Sequence, residues 1–407
     1  MKTHALKPLA PFACAVALCT APFVNLHASD PYTVFLDPDP SVYTGFWDIA
    51  AGPSDRVYSV GYVEDGDTFI DKAVIRSLHR GAPGTWEIST AVTDGGRTFF
   101  HATVDGFGNL YAMAGYGGDE ELWRSTEEGV NMQWITTLKQ VLPAGSQLAW
   151  RSLAADADGN VFVCGYRPLT SGRTTLNRWM VARGIPTSSD GLAWSVVDEF
   201  TLDAKYGSFA TGLTIRPSSN QSSLSEVWVR GTVGNKSGNQ VALRRSTNGG
   251  AEGSWQTVTT YVGDTRWFRG IGADSLAVGV NGEVYDVGQV AVSVSKKAVE
   301  NRWTTWRLAP GAASVQVVDQ LPVASAALKV GVDSTGRVYV HGGRSGFDGS
   351  VLRTSANGNA ATWDDYDLAA GASFYAMTID DEGSVYLAGE LCEPGACLGC
   401  IRKLPAP

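Results

Sequence analysis

A chain of 407 residues with an ordinary 44% hydrophobic share is long enough to bury a large core, and by length alone two or three domains are the prior. Its formal net charge of −9 argues against nucleic acid or an anionic membrane as partner, because both need a basic face.

The first element is a transport signal. Lys2 and Lys7 precede an apolar stretch, Leu9 to Val24, that is too short and too Pro-interrupted to span a bilayer. Residues 1–28 are expected to be removed after Ala28. Cys19 raises a lipoprotein alternative, but Leu18 stands where a small residue is needed. No later stretch is apolar enough to cross a bilayer, so an exported protein is expected: secreted, periplasmic or on the cell surface, and monomeric.

From residue 29 onward one short pattern recurs, an apolar strand with an aromatic and a Gly three residues on. It holds Tyr58 and Gly61, Phe162 and Gly165, Trp228 and Gly231, Tyr285 and Gly288, Tyr339 and Gly342, and Tyr386 and Gly389. Tyr111 and Gly115 form a copy one residue longer. The aromatics are 53, 51, 66, 57, 54 and 47 residues apart, so seven units fill the chain to its end. In each unit an Arg follows a second strand: Arg76, Arg124, Arg183, Arg245, Arg307, Arg353 and Arg402. Trp86, Trp134, Trp255 and Trp363 lie ten residues after four of these. Trp194 lies eleven after Arg183, and Val317 stands in the place after Arg307.

Each unit therefore contains four strands. Strand A runs into an Asp/Gly turn, strand B carries the aromatic and Gly, strand C ends at the Arg and strand D starts at the Trp. Four antiparallel strands repeated radially predict an all-β fold, a seven-bladed β-propeller occupying residues 29–407 as one domain. The last unit lacks strand D, while the mature chain begins with an orphan strand in which Tyr32 occupies the Trp place. The N-terminal strand is expected to complete the last blade and close the ring, removing an exposed edge.

Three Arg-to-Trp stretches, Arg124 to Trp134, Arg245 to Trp255 and Arg353 to Trp363, resemble the Asp-box repeat of bacterial neuraminidases, roughly S-x-D-x-G-x-x-W. Aligned on the Arg, Glu127, Asn248 and Ala356 replace the Asp, and the loops are longer. The resemblance implies that this turn is structural, that its Trp packs between sheets and that it lies on the face opposite the site. Seven-bladed relatives include glycan-acting enzymes and photosystem assembly factors, so the resemblance does not choose a function.

Function is then expected on the other face, at the mouth of the channel, where B-to-C and D-to-A loops meet. Positions ten or eleven before the strand-B aromatic place Asp48, His101, Arg151 and Lys329 there, Trp47, Phe100, Trp150 and Tyr375 lie near the same level, and Arg266, Trp267 and Arg269 enter the fifth unit similarly. Polar groups among aromatics suit sugar or peptide. The bland alternative is wedged aromatics and solvated charges in a wet channel.

Other chemistry is thin. A sialidase needs three arginines on the substrate carboxylate, a Tyr nucleophile paired with Glu, an Asp acid/base and an early Phe/Tyr-Arg-Ile-Pro motif. Its nearest match, Ala182 to Pro186, carries an extra Gly and lies in the third unit. No spacing singles out a carboxylate pair, and no G-x-S-x-G, H-E-x-x-H or P-loop occurs. The acidic run Val63 to Asp71 lacks EF-hand order, so a solvated loop is favoured over calcium and no cofactor is expected. Export favours a disulfide from Cys392 to Cys397 or Cys400 across the Pro394-Gly395 turn, with Cys164 as a buried free thiol. The leading expectation is a non-catalytic module binding glycan or protein at the mouth. The alternative is a sialidase-like or other glycoside hydrolase there.

Overall fold

The computed structural model describes residues 33–36, 43–53, 55–64, 71–79, 86–92, 98–115, 120–126, 131–137, 149–171, 174–188, 191–216, 224–263, 275–295, 298–344, 349–393 and 396–405. The expected signal, residues 1–28, lies outside them, as do Tyr32, Trp267 and Arg269. Among the described residues every regular element is a strand. β1, Thr33–Leu36, is followed by seven blades. Blade 1 holds β2 to β5 (Tyr43–Ala51, Arg56–Glu64, Asp71–His79, Trp86–Val92), and blade 2 holds β6 to β9 (Phe99–Val104, Leu110–Ala114, Glu121–Ser125, Gln133–Thr137). Blade 3 holds β10 to β13 (Ala149–Ala155, Val161–Ser171, Thr174–Pro186, Leu192–Phe200), and blade 4 holds β14 to β17 (Ser208–Arg216, Glu226–Asn235, Gly238–Ser246, Gln256–Tyr261). β18 to β20 (Leu276–Val278, Val284–Ser295, Ala298–Leu308) belong to blade 5, and β22 to β24 (Val338–Arg344, Gly349–Ser355, Trp363–Ala370) to blade 6. One long strand, β21 (Gln316–Val332), is strand D of blade 5 and then strand A of blade 6. Blade 7 holds β25 to β27 (Ala372–Ile379, Val385–Glu393, Ala396–Leu404), with β1 as its outer strand.

The ring closes as the orphan strand predicts. β1 pairs antiparallel with β27 in the register Val34 to Arg402 and Leu36 to Cys400, burying Phe35. The innermost strands of successive blades touch around the ring and enclose a channel of about 350 Å³. Its lower part is lined by one triplet per blade, such as Ile49–Ala51 and Met377–Ile379.

Strand A bulges at one level in six blades, at Trp47, Phe100, Arg151, Thr211, Leu328 and Tyr375. A bulge turns the extra residue and its successor in different directions. It also explains the recurring Gly. A Cβ at Gly61, Gly165, Gly231, Gly342 or Gly389 would overlap the strand-A carbonyl oxygen beside the bulge.

The Arg pattern needs correction. Arg124, Arg183, Arg245 and Arg307 pair with the strand-B aromatics Tyr111, Phe162, Trp228 and Tyr285. Arg76, Arg353 and Arg402 are shifted by one residue, because Ser77, Thr354 and Lys403 pair with the aromatics there. Side chains alternate with period 2, so the shifted arginines face the other side of the sheet. Arg353 takes a bidentate grip on Asp319 of blade 5 at 3.0 and 3.2 Å. Arg244 of blade 4 does the same to Asp198 of blade 3 at 2.8 and 2.7 Å. These pairs bolt neighbouring blades together.

The Trp pattern is corrected too. By register, one slot at the head of strand D is filled by Trp86, Met132, Trp194, Trp255, Val315 and Trp363. Its described occupants pack with the strand-B aromatic of the preceding blade: Met132 with Tyr58, Trp255 with Phe162 and Trp363 with Tyr285. Trp134 is outside the slot and 47% exposed. The C-to-D loops differ in length, so a constant ten-residue spacing does not mark one structural place. The polar tie is also re-aligned. Buried Ser246 and Ser355 accept the loop amides of Gly250 and Gly358 at 3.1 and 2.9 Å. Counted from that Ser, Asn357 rather than Ala356 stands in the Asp place, and it accepts the Asn359 amide at 3.0 Å.

Candidate functional site

The strand-A bulge sorts the mouth residues into two sets. Trp47, Arg151 and Tyr375 are bulge residues and are partly exposed. Asp48, His101 and Lys329 each follow a bulge and are 2%, 7% and 1% exposed. Trp150 precedes one and is buried in the core between blades 2 and 3 with Tyr111 and Leu122.

The buried set forms an ionic network below the rim. Asp48 Oδ1 lies 3.6 Å from Lys329 Nζ, and Oδ2 lies 3.6 Å from His101 Nδ1. The same carboxylate accepts the backbone amides of Ile49 and Ala102, each at 3.0 Å. Burial alone raises the Asp48 pKa, but the Lys329 ammonium and His101 outweigh it and hold the carboxyl below its ordinary value. His341 pairs with Lys329 in the sheet and is fully buried. Burial and the neighbouring ammonium depress its pKa to about 3. These groups tie blades 1, 2 and 6 and are closed to a ligand.

Two of the partly exposed set, Trp47 and Tyr375, meet where blade 7 adjoins blade 1. Trp47 stacks on Tyr62, 6.0 Å away at 25°, and packs at a tilt against Tyr375, 4.9 Å away at 31°. Both tyrosine hydroxyls donate to one carboxylate, Tyr62 to Glu390 Oε1 at 3.3 Å and Tyr375 to Oε2 at 3.4 Å. Glu390 is buried, which raises its pKa against the pull of the two hydroxyls. On blade 3, Arg151 lies over the Tyr166 ring at 5.6 Å and donates to its hydroxyl at 3.4 Å.

Sequence spacing missed Tyr62, Tyr166 and Glu390. Each directly follows the recurring Gly of strand B, so the signal was present in the repeat itself. Cys392 is bonded to Cys397 in the adjoining β26–β27 hairpin, and Cys164 and Cys400 are buried thiols outside that disulfide. Residues 65–70, the middle of the acidic run weighed for calcium, lie outside the described residues.

No protein-family model and no curated protein matches this chain. Solved structures do. YCF48 from Cyanidioschyzon merolae is 15% identical with a TM-score of 0.51, over 92% of this chain and 98% of that one. The polysaccharide lyase Uly1 is 11% identical with a TM-score of 0.57, over 89% and 90%. The propeller domain of the Trilobed protease from Pyrococcus furiosus, described as having an open velcro topology, is 12% identical with a TM-score of 0.50, over 85% and 89%. At such identities the likeness is one of fold alone. The ring described above is closed by β1.

Proposed function

We propose that this protein is an exported, non-catalytic propeller that binds a glycan or protein at its mouth. The observation that carries the reading is Trp47, held in a fixed orientation between Tyr62 and Tyr375 over Glu390. Rigid aromatic rings suit the apolar face of a sugar, or an aromatic or aliphatic peptide side chain, and the buried Glu390 fixes the two tyrosines beside Trp47. Asp48 does not complete a carboxylate pair for hydrolysis, because its oxygens are turned to backbone amides, His101 and Lys329. A glycan array, followed by titration of any hit against Trp47→Ala, tests the reading. Loss of binding at unchanged melting temperature supports it, and binding that survives the substitution defeats it.

One feature favours the hydrolase alternative: a Tyr–Glu pair is the nucleophile unit of the sialidases that the Asp-box-like stretches resemble, and Tyr62 and Tyr375 both meet Glu390. Turnover of any chromogenic glycoside that disappears in Glu390→Gln decides for it.

A further inference from the structure

A second polar cavity opens on the face opposite the mouth, between blades 5 and 6. It has a volume of about 180 Å³, room for roughly six waters at about 30 Å³ each. Its walls come from the A-to-B turns of both blades and from the Asp-box-like loop of blade 6.

Blades 2, 3, 6 and 7 close the A-to-B turn with a carboxylate. Asp105, Asp156, Asp333 and Asp380 each accept two backbone amides of their own turn through Oδ1. Blade 5 has Gly279 at that place. Without the Asp, the Glu283 side chain lies over Gly279, its Oε2 3.0 Å from where a Cβ would be. Arg307 then fixes the wall. It donates to Glu283 Oε1 at 3.4 Å and to Asn359 Oδ1 at 2.7 Å, while its Nε is buried without an acceptor among the described residues. Asn281, Asn357 and Thr335 add polar groups to the lining, beside Tyr285 and Val332. Between blades 3 and 4 the equivalent Asn160 amide is committed to Asp156 at 2.8 Å, and Arg183 lies over the Phe162 ring.

The geometry points to a binding site for a neutral polyhydroxyl ligand, a single sugar ring or an unsubstituted sugar end, in this cavity. Glu283 opposes a free anion and Arg307 opposes a free cation, whereas together with the amides they alternate acceptors and donors. A hydroxyl both donates and accepts, so vicinal hydroxyls match that alternation. This site is independent of the one proposed at the mouth.

The test is calorimetric titration with glucose, galactose, mannose, glucuronate and glucosamine. It uses the wild type, Ala356→Phe, which places a ring in the cavity from an exposed position, Asn359→Leu and Trp47→Ala. The expected result is saturable binding of at least one neutral hexose. That binding weakens at least tenfold in Ala356→Phe and Asn359→Leu at unchanged melting temperature and is retained in Trp47→Ala. The inference is overturned if no neutral hexose saturates, if only glucuronate or glucosamine binds, or if Ala356→Phe keeps full affinity.

Discussion

Lys329 of blade 6 reaches Asp48 of blade 1 at 3.6 Å, although blade 7 stands between them and offers only Ala376 at that level. The contact makes the upper channel a cross-brace of the ring. A buried charge that loses its partner usually costs about 3–5 kcal/mol. Lys329→Met is therefore expected to lower stability by about that much, and adding Asp48→Asn to recover a large part of it. A double-mutant cycle read by denaturant melts checks this, and additive losses would contradict the brace. Because the folded pKa of Asp48 lies below its ordinary 3.8, this contribution is present above pH 3.8 and lost as pH falls through the folded value.

His341 sets an acid limit. Its ordinary pKa is 6.5 and its folded value about 3, so below pH 6.5 the unfolded chain binds a proton that the folded ring refuses. Stability falls there by about 1.4 kcal/mol per pH unit until about pH 3. Asp286, raised by burial to about 6, acts in the opposite sense between 3.8 and 6, where the folded state holds the extra proton. The His341 share is thus read as a difference. Wild type should lose stability relative to His341→Leu as pH drops from 6.5 to 4, and parallel profiles would reject the assignment.

The slot at the head of strand D separates two neighbours in one loop. Met132 is buried and Trp134 is 47% exposed. Met132→Ala is expected to cost about 2–5 kcal/mol and Trp255→Ala about 3–5 kcal/mol, whereas Trp134→Ala should stay within about 1 kcal/mol. Chemical denaturation of the three variants checks the order, and a Trp134→Ala loss equal to that of Trp255→Ala would undo the register.

The closing seam is testable in two places. Phe35→Ala empties a buried position on the strand that completes blade 7 and is expected to cost about 3–5 kcal/mol. Replacing Cys392 and Cys397 by Ser opens a loop with a sequence separation of only 5, so the expected loss is about 2 kcal/mol. Melting curves should rank Phe35→Ala below the double Ser variant.

Blade number, strand order and ring closure were legible in the chain itself, because each depends on local patterning. Period-2 apolar runs and a strand-B aromatic with its Gly repeat seven times, an Asp/Gly turn recurs in four of the units, and a missing last strand is matched by a surplus first one. Tertiary structure decided which way the site residues face. Trp47 and Asp48 are adjacent in sequence, yet a bulge sends one to the rim among Tyr62 and Tyr375 and the other into a buried ion network. Spacing alone does not show a bulge, since one extra residue inverts the side-chain alternation without changing composition. Likewise, Arg124 to Trp134 and Arg245 to Trp255 share a ten-residue spacing, but loops of different length put Met132 where Trp255 lies. Glu390 meets Tyr62 only because ring closure brings the last blade against the first, a contact between residues 328 apart that no local pattern encodes.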